Sequence, residues 1–329
     1  MIVTVSVALC TFNGEAHLAG QLASILAQHT LPDEVVISDD GSTDGTLAVI
    51  STWSEKADAA GIATRVLTRE TPVGVTANFA SAIAACRCDV VVLCDQDDLW
   101  HRGRVSVAVD AFNADPALLL QHGDARLVDA GGDPLGTTLF AALGVTADDR
   151  AAINAGRGFA RYLRRNLATG ATLAFRRTLF DTAAPLPAEW VHDEWLAIVA
   201  AATGAVAVTD EVLIDYRQHD SNQIGVAAAT LAYRVKRMLG SPVDRNHLLA
   251  RRAAILAARL PQIAGVTAAT ATSARNKARF EESRAALPQL RVARIPGILQ
   301  AARGGAYVRF ASQGRLDMVR DLFGRRAAR

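Results

Sequence analysis

Short apolar runs alternate with helical patterns through the first third of the chain. The runs are mostly β-branched, and each is followed by apolar positions at helical spacing, which is typical of parallel strands buried between helices. The predicted strands cover 3–9, 34–38, 63–69 and 89–94, and the predicted helices cover 15–28, 44–59, 75–86 and 102–113. This alternation predicts an α/β fold with a mostly parallel, Rossmann-like sheet and helices on both of its faces.

The pattern changes after residue 114. A strand is predicted over 117–128, a turn over 129–134, an irregular to helical stretch over 139–165, and another strand over 205–209. Beyond these elements, apolar residues and arginines or lysines recur at helical spacing to the end of the chain.

The length of 329 residues, half of them hydrophobic, is enough to bury a sizeable core. We expect an α/β domain over 1–225, with a first half over 1–114 and a second half over 115–225. A basic helical region over 226–329 follows it.

Three carboxylates follow the predicted strand that ends at Cys94. Asp95, Asp97 and Asp98 lie within four positions of one another. Because like charges this close repel, they need a cation or several hydrogen-bond donors to remain ionised. Hard oxygen ligands of this kind suit Mg²⁺ or Mn²⁺. An ordinary polar loop after a strand is the alternative interpretation.

Polar residues follow two other predicted strands as well. Thr11-Phe12-Asn13-Gly14 follows the first strand, and Asp39-Asp40-Gly41-Ser42-Thr43-Asp44-Gly45-Thr46 follows the second. In open α/β sheets, ligands bind at the carboxyl ends of the strands. The sequence therefore favours a nucleotide and metal site at that edge of the sheet.

These three motifs, in this order, resemble the inverting family 2 glycosyltransferases of the glycosyltransferase-A fold. The Asp-Gln-Asp-Asp-Leu-Trp segment at 95–100 is particularly similar to bacterial rhamnosyltransferases of cell-surface polysaccharide synthesis. The resemblance implies transfer of a sugar from a nucleoside diphosphate donor to a glycan or lipid-linked glycan, by single displacement with inversion. It implies dTDP-rhamnose as the donor, although users of UDP-hexoses carry near variants of the segment. The first half of the α/β domain would bind the donor and the second half the acceptor.

The resemblance also implies roles for individual residues. Asp193, in a stretch similar to the family's His-Asp-Trp-Trp segment, would be the general base, and a helix N-cap is its alternative role. Asp97 and Asp98, together with His219, would hold Mg²⁺ or Mn²⁺. Donor contacts are expected from Thr11, Asn13, Asp39, Asp40, Asn78, Asp95, Gln96 and Arg217, and acceptor contacts from Gly170, His192 and Trp195.

Two other functions remain open at this point. Nucleotidyltransferases also place paired carboxylates on Mg²⁺, but they usually begin with a Gly-rich phosphate loop carrying Arg and Lys, and residues 11–15 lack these features. A sugar-nucleotide-binding module without catalysis would be favoured by loss of the acidic triplet or of Asp193, and both are present. No G-x-G-x-x-G follows a predicted strand, which argues against a dinucleotide-dependent oxidoreductase.

The net charge of +2 conceals two regions of opposite sign. Residues 1–225 carry 28 acidic and 15 basic side chains, and residues 226–329 carry 5 acidic and 20 basic ones. The basic region either packs as solvated helices or contacts an anionic membrane surface, where each nearby Lys or Arg adds about 1 kcal/mol. Nucleic acid is not expected as a partner, because aromatic residues are few and no reader motif is recognisable.

The sequence predicts a cytoplasmic protein. Whether it also contacts the inner face of the plasma membrane peripherally is left open by the sequence. No apolar stretch is long enough to span a bilayer, and no basic segment precedes an apolar core at the N-terminus. The four cysteines lie in or beside predicted strands and are expected to be small buried side chains.

Overall fold

The computed structural model describes residues 2–218 and 244–324. The chain divides into two compact units. We call the first the sheet unit; it comprises Met1–Gly156, Leu167–Ala200 and Gly204–Ala227. We call the second the helical unit; it comprises Arg157–Asn166, Ala201–Thr203 and Ala228–Arg329.

The sheet unit begins with four strands that alternate with helices, as predicted. Its first part consists of β1 (Val5–Thr11), α1 (Glu15–Leu26), β2 (Glu34–Asp39), α2 (Thr46–Ala59), β3 (Ala63–Thr68), α3 (Val75–Ala85), β4 (Val90–Cys94), β5 (Leu99–Trp100) and α4 (Arg104–Ala114). Its second part consists of β6 (Leu118–Val128), β7 (Pro134–Thr138), α5 (Leu139–Leu143), α6 (Ala147–Ala152), β8 (Ala174–Arg176), α8 (Arg177–Ala183), α9 (His192–Thr203) and β9 (Ala205–Arg217). The short helix α7 (Phe159–Arg164) and the last three residues of α9 belong to the helical unit.

All nine strands form one sheet in the order β3-β2-β1-β4-β8-β6-β9-β5, with β7 paired to β6. The pairs among β1, β2, β3 and β4 are parallel, as is the pair of β6 with β9. Strand β8 joins the two parallel parts by pairing antiparallel with both β4 and β6. The parallel core was predicted, whereas β5 and β7 were not. The predicted turn over 129–134 was one residue too long, because Pro134 already begins β7.

The central strands are buried because apolar side chains fill both of their faces. Val35–Ile37 of β2 and Val90–Leu93 of β4 expose no surface. A strand covered on both sides has no need of polar alternation, and this explains the continuous apolar runs. On this core, the indole N–H of Trp53 donates to the backbone oxygen of Leu22 at 2.8 Å, so helices α1 and α2 are fixed to each other.

The helical unit contains the helices predicted for the basic region, within the described residues. They are α10 (Asp244–Arg259), α11 (Ala268–Ala285), α12 (Arg291–Arg303), α13 (Ala306–Phe310) and α14 (Leu316–Phe323). Among the described residues, no helix is both long enough and apolar enough to cross a bilayer.

A buried ionic cluster joins these helices. Arg284 donates to Asp321 at 2.6 and 3.1 Å and to Glu281 at 2.8 Å. Lys277 donates to Glu281 at 2.6 Å, and the Tyr307 hydroxyl donates to Asp321 at 2.7 Å. We call these five residues the Arg284 cluster. Because nearly every charge in it has an opposite partner, the cluster keeps α11, α13 and α14 together without an isolated buried charge.

Candidate active site

The carboxyl ends of β1 and β2 are joined by Asp39, whose side chain is buried. Its Oδ1 accepts hydrogen bonds from the hydroxyls of Thr11 at 2.7 Å and Ser42 at 2.5 Å. Its Oδ2 accepts from the backbone N–H of Ser42 at 2.8 Å and of Gly41 at 3.2 Å. Four protein donors therefore engage the two oxygens of a side chain that was expected to contact the nucleotide-sugar donor.

Asn13 links the loops that follow β1 and β2. It adopts a left-handed backbone with φ of 48°, which asparagine tolerates better than most residues. Its Oδ1 accepts the backbone N–H of Thr43 at 2.8 Å, and its own N–H donates to Ser42 Oγ at 2.8 Å. A third connection runs from Gly45 N–H to Glu15 Oε2 at 2.9 Å. The two loops consequently form one hydrogen-bonded platform at the edge of the sheet.

Asp40 fixes the loop that precedes α3. Its two oxygens accept the backbone N–H groups of Val73 at 3.0 Å and Gly74 at 2.8 Å, and Arg69 lies 3.4 Å from Oδ1. Gly74 has φ of 87°, a backbone conformation that favours glycine. The Pro-Val-Gly segment is thus held against the end of β2 by a carboxylate.

Asn78 is a buried connector between α3 and two strands. Its amide nitrogen donates to the backbone oxygens of Ser38 at 2.9 Å and Thr11 at 3.4 Å. Its Oδ1 accepts the hydroxyl of Ser38 at 2.6 Å. In this structure its amide group binds the protein rather than facing open space.

Gln96 attaches the loop after β4, residues 95–98, to the loop after β1. We call residues 95–98 the acidic loop. Its Oε1 accepts the N–H of Phe12 at 2.8 Å, and its Nε2 donates to the backbone oxygen of Phe12 at 3.1 Å. Gly14 permits this approach, because a Cβ there would lie 2.3 Å from Gln96 Oε1. Glycine at position 14 therefore leaves room for the Gln96 amide in this position.

Arg217, at the end of β9, holds the acidic loop from the other side. Its backbone N–H donates to Asp98 Oδ1 at 3.0 Å, and its Nε donates to the backbone oxygen of Asp97 at 2.9 Å. Its Nη1 donates to the backbone oxygen of Ala130 at 2.8 Å. The pairing of β5 with β9, which places Leu99 opposite Asp215, brings these groups together.

The acidic loop has a strongly negative environment. Burial, with Asp97 and Asp193 nearby, raises the pKa of Asp95 to about 8. Burial, with Asp95 and Asp97, also raises the pKa of Asp98 well above its ordinary value. The pKa of Tyr216 is raised by burial and then by the same carboxylates, including Asp193. Residues almost a hundred positions apart in the chain thus share one electrostatic environment.

The residues present fit a hard divalent cation. Asp98 Oδ2 is buried and has no hydrogen-bond partner among the described residues, so one carboxyl oxygen is left for another ligand. Within residues 2–218 and 244–324, no group of three His, Cys, Asp or Glu side chains has metal-binding geometry. His219, the third predicted metal ligand, lies outside the described residues.

Asp193 lies in the first turn of α9, which begins at His192. The backbone N–H of Gly170 donates to its Oδ2 at 2.9 Å, and the N–H of Glu194 donates to its Oδ1 at 2.6 Å. The N-cap of α9 is Val191 and not Asp193, so the alternative capping role is not observed. Two backbone donors instead fix the direction of this carboxylate.

His192 packs beside Asp193 without a polar partner for its ring. The imidazole stacks on Phe79, with ring centroids 4.1 Å apart, and neither ring nitrogen has a hydrogen-bond partner among the described residues. Burial lowers the pKa of His192, and this effect exceeds the opposing effect of Asp193, which raises it. The ring is therefore neutral at neutral pH. A Cβ on Gly170 would lie 3.1 Å from His192 Nε2, so glycine allows this close contact.

Trp195 requires a correction. It is fully buried, and its indole N–H donates to the backbone oxygen of Ala183 at 2.8 Å, so it is a packing residue and not an acceptor contact. Successive helical residues are rotated by about 100°, and Trp195 therefore points almost opposite to Asp193.

Tyr216 and Phe79 were not among the predicted site residues. Tyr216 directly precedes the predicted donor contact Arg217, and strand alternation places it on the same side as Ile214, which is fully buried. That alternation was the available signal for Tyr216. For Phe79 the sequence offered no signal beyond its position next to Asn78.

Residues 6–181, just over half of the chain, match the family described as Glycosyl transferase family 2. The chain therefore belongs to this family of glycosyltransferases.

Two curated relatives and two solved structures extend this result. Over 219 residues, the chain is 26% identical to an uncharacterised protein of Mycobacterium tuberculosis, matching 65% of this chain and 58% of that protein. It thus spans less than two thirds of the length of that mycobacterial relative. Over 240 residues, it is 23% identical to the dTDP-rhamnosyl transferase RfbG of Shigella flexneri, matching 69% of this chain and 76% of that protein.

The structural comparisons concern the fold. TarS of S. aureus in complex with UDP-GlcNAc covers 97% of this chain and 89% of its own, with a TM-score of 0.61 and 16% identity. The mannosyltransferase PcManGT from Pyrobaculum calidifontis, in complex with GDP-Man and Mn²⁺, covers 98% and 85%, with a TM-score of 0.56 and 17% identity. These likenesses confirm the predicted glycosyltransferase-A fold with an additional helical region.

Proposed function

We propose that this protein transfers a sugar from a nucleoside diphosphate donor to a hydroxyl of a glycan or lipid-linked glycan, with inversion at the anomeric carbon. The observation that carries the proposal is the proximity of Asp193 to the acidic loop. Asp193 raises the pKa of Asp95, although the two residues lie 98 positions apart in the sequence. A candidate base and a candidate leaving-group site thus occupy one region.

On the donor side, Asp97 and Asp98 would hold Mg²⁺ or Mn²⁺, joined by His219. The bound cation would supply Lewis-acid neutralisation of the leaving diphosphate. Asp95 would reach the ribose. Arg217, which donates to Asp98 and to the backbone of Asp97, would hold the loop in position for that cation.

Five further donor-side residues would shape the nucleotide pocket indirectly. Their polar groups hold the loops after β1, β2 and β3, so we assign them the task of keeping these loops in place around the base. They are Thr11, Asn13, Asp39, Asp40 and Asn78. Gln96 would act in the same way through the backbone of Phe12.

On the acceptor side, Asp193 would take the proton of the attacking hydroxyl. The N–H groups of Gly170 and Glu194 orient its carboxylate, so the base does not need to reorganise during the reaction. The ring nitrogens of His192, which have no partner among the described residues, would bond an acceptor hydroxyl next to the ring. One base acting opposite one leaving group gives a single displacement and therefore inversion.

We propose dTDP-rhamnose as the first donor to test. The support is the Asp-Gln-Asp-Asp-Leu-Trp segment and the similarity to the dTDP-rhamnosyl transferase of Shigella flexneri. Calorimetric titration of dTDP, UDP and GDP, each with and without Mn²⁺, separates the candidates. Tight Mn²⁺-dependent binding of dTDP supports the proposed donor, and preference for UDP or GDP replaces it with another sugar nucleotide.

The base assignment is tested with Asp193→Asn. We expect this variant to bind the nucleotide and Mn²⁺ as the wild type does, while turnover of the sugar nucleotide falls by at least about a hundredfold. Asp181→Asn is the matched control, because Asp181 is an exposed carboxylate of the same unit. Loss of nucleotide binding in Asp193→Asn would instead indicate a structural role. Binding without turnover in the wild type, over a panel of donors and glycan acceptors, would favour a non-catalytic module.

A further inference from the structure

Two helices of the helical unit carry apolar stripes that face solvent. On α12 the stripe consists of Val292, Ile295 and Leu299, and on α14 it consists of Leu316, Val319 and Phe323. Both follow i, i+3, i+7 spacing, which places three side chains on one side of a helix. These six side chains are between 42% and 74% exposed. We call them the apolar face.

The two stripes are continuous across a groove. A cavity of about 230 Å³ lies between α12 and α14, and all seven side chains that line it are apolar. Four of them belong to the apolar face, and Ile298, Met318 and Leu322 complete the lining. Scattered apolar residues are normal on a protein surface, whereas a contiguous patch with an apolar groove marks a binding surface.

The groove is held in a fixed shape by Arg294. This buried guanidinium donates to the backbone oxygens of Asp321, Leu322 and Gly324 at 2.9 to 3.0 Å. It also donates to the backbone oxygens of Pro288 and Gln289 at 2.8 Å. The start of α12 is thereby fixed to the end of α14, so the two stripes are arranged before any partner binds.

The charges in this part of the chain have one sign at the surface. Arg291, Arg303, Arg309 and Arg315 are exposed. The acidic residues of 287–324 are Asp317 and Asp321, and both are buried in ion pairs with Arg284 and its neighbours. An apolar face accompanied only by exposed positive charge is the pattern of a helix lying in a membrane interface.

We propose that the apolar face and the exposed arginines form a docking surface for an anionic lipid bilayer. The apolar side chains would enter the boundary between headgroups and acyl chains, and the arginines would contact lipid phosphates. A second copy of the chain fits this surface less well, because the exposed charges of residues 287–324 are all positive and would repel one another across a symmetric contact. This surface is independent of the proposed sugar transfer.

The test is flotation of the full chain with phosphatidylcholine vesicles that contain or lack phosphatidylglycerol. We expect binding only to the anionic vesicles, and weaker binding at high salt. Replacing Val319 and Phe323 with serine should weaken the partition coefficient by at least about tenfold. Arg291→Gln with Arg315→Gln should weaken it by about 25-fold, since each arginine contributes about fivefold.

The matched control is Leu47→Ser with Val66→Ser, because both residues are about 40% exposed in the sheet unit. This variant should bind vesicles as the wild type does, and circular dichroism checks that every variant is folded. Equal vesicle binding by the wild type and the Val319/Phe323 variant would overturn the proposal. So would a wild-type dimer in analytical ultracentrifugation that the same variant abolishes, because the face would then serve self-association.

Discussion

Divalent cation binding should strengthen steeply as pH rises from 6 to 8. Burial and the neighbouring carboxylates Asp97 and Asp193 raise the pKa of Asp95 to about 8, so the cation-free site is largely protonated at neutral pH. A cation held beside Asp95 by Asp97 and Asp98 favours the ionised form of Asp95, so its binding displaces this proton. For one group with a pKa of about 8, the apparent affinity falls by about 50-fold between pH 8 and pH 6. The raised pKa of Asp98 acts in the same direction.

The stability of the cation-free protein should change in the opposite sense. An unfolded Asp titrates near about 3.9, whereas Asp95 keeps its proton up to about 8 in the folded protein. Between these values the folded state binds more protons, so its stability declines as pH rises. A bound cation removes this penalty, and the cation should therefore raise the melting temperature more at pH 8 than at pH 6.

Calorimetry of Mg²⁺ in the presence of the preferred nucleoside diphosphate measures both the affinity and the released proton. Titrations at pH 6, 7 and 8 in two buffers of different ionisation enthalpy give the number of protons displaced. Asp95→Asn should reduce the pH dependence, and Asp181→Asn should preserve it. An affinity that stays constant over this range, with heats that do not depend on the buffer, would refute the reasoning, because the carboxylates would already be ionised without the cation.

Three other expectations concern groups whose positions are fixed by the structure. Arg284→Leu should lower the free energy of unfolding of the helical unit by about 3 to 5 kcal/mol, because buried carboxylates lose a partner; denaturant titration of helical circular dichroism measures this. Gly14→Ala should displace Gln96, whose Oε1 would lie 2.3 Å from the new Cβ, and weaken nucleotide binding about tenfold with little loss of stability. Burial alone would raise the pKa of Asp317, but Arg284 and other cations hold it below its usual value. Stability from this group is therefore present above about pH 4 and is lost as pH falls through the depressed pKa, which acid titration of circular dichroism should detect.

Each of these expectations has a control or a contradicting result. Arg275→Leu removes an exposed arginine from the same helix as Arg284, and an equal loss of stability in both variants would contradict a role for buried pairing. If Gly14→Ala weakens binding further in a Gln96→Ala background, the two residues do not act through the same contact. Asp317→Asn should make the acid transition less steep, and an unchanged transition would assign the acid sensitivity to other carboxylates.

The elements that the sequence predicts well are those with a strong local pattern. The run at Val90–Cys94 is continuous and β-branched, so it could hardly be other than a buried strand. Strands β5 and β8 contain two and three residues, which is too short for any periodicity to appear. Their positions follow from pairing with β9, β4 and β6, and pairing between distant segments leaves no local signal.

The site shows a similar division. The residue types at the strand ends revealed where ligands should bind, because carboxylates and amides in that place need partners. They did not reveal which partners. An Asp at position 39 or an Asn at position 78 looks the same in the sequence whether its side chain faces a nucleotide or a backbone group. For Trp195, the motif resemblance outweighed helix geometry, and the rotation between positions 193 and 195 would have separated the two side chains.

The attachment of Asp39, Asp40 and Asn78 to the backbone has a consequence for the divergence of donor choice. Substituting any of them would disturb the loops before it altered recognition, so selection for a new sugar nucleotide would act elsewhere. Donor preference would then change while Asp39, Asp40 and Asn78 stayed the same. An engineer wishing to redirect this protein to another sugar nucleotide should leave these three residues alone and vary their solvent-facing neighbours.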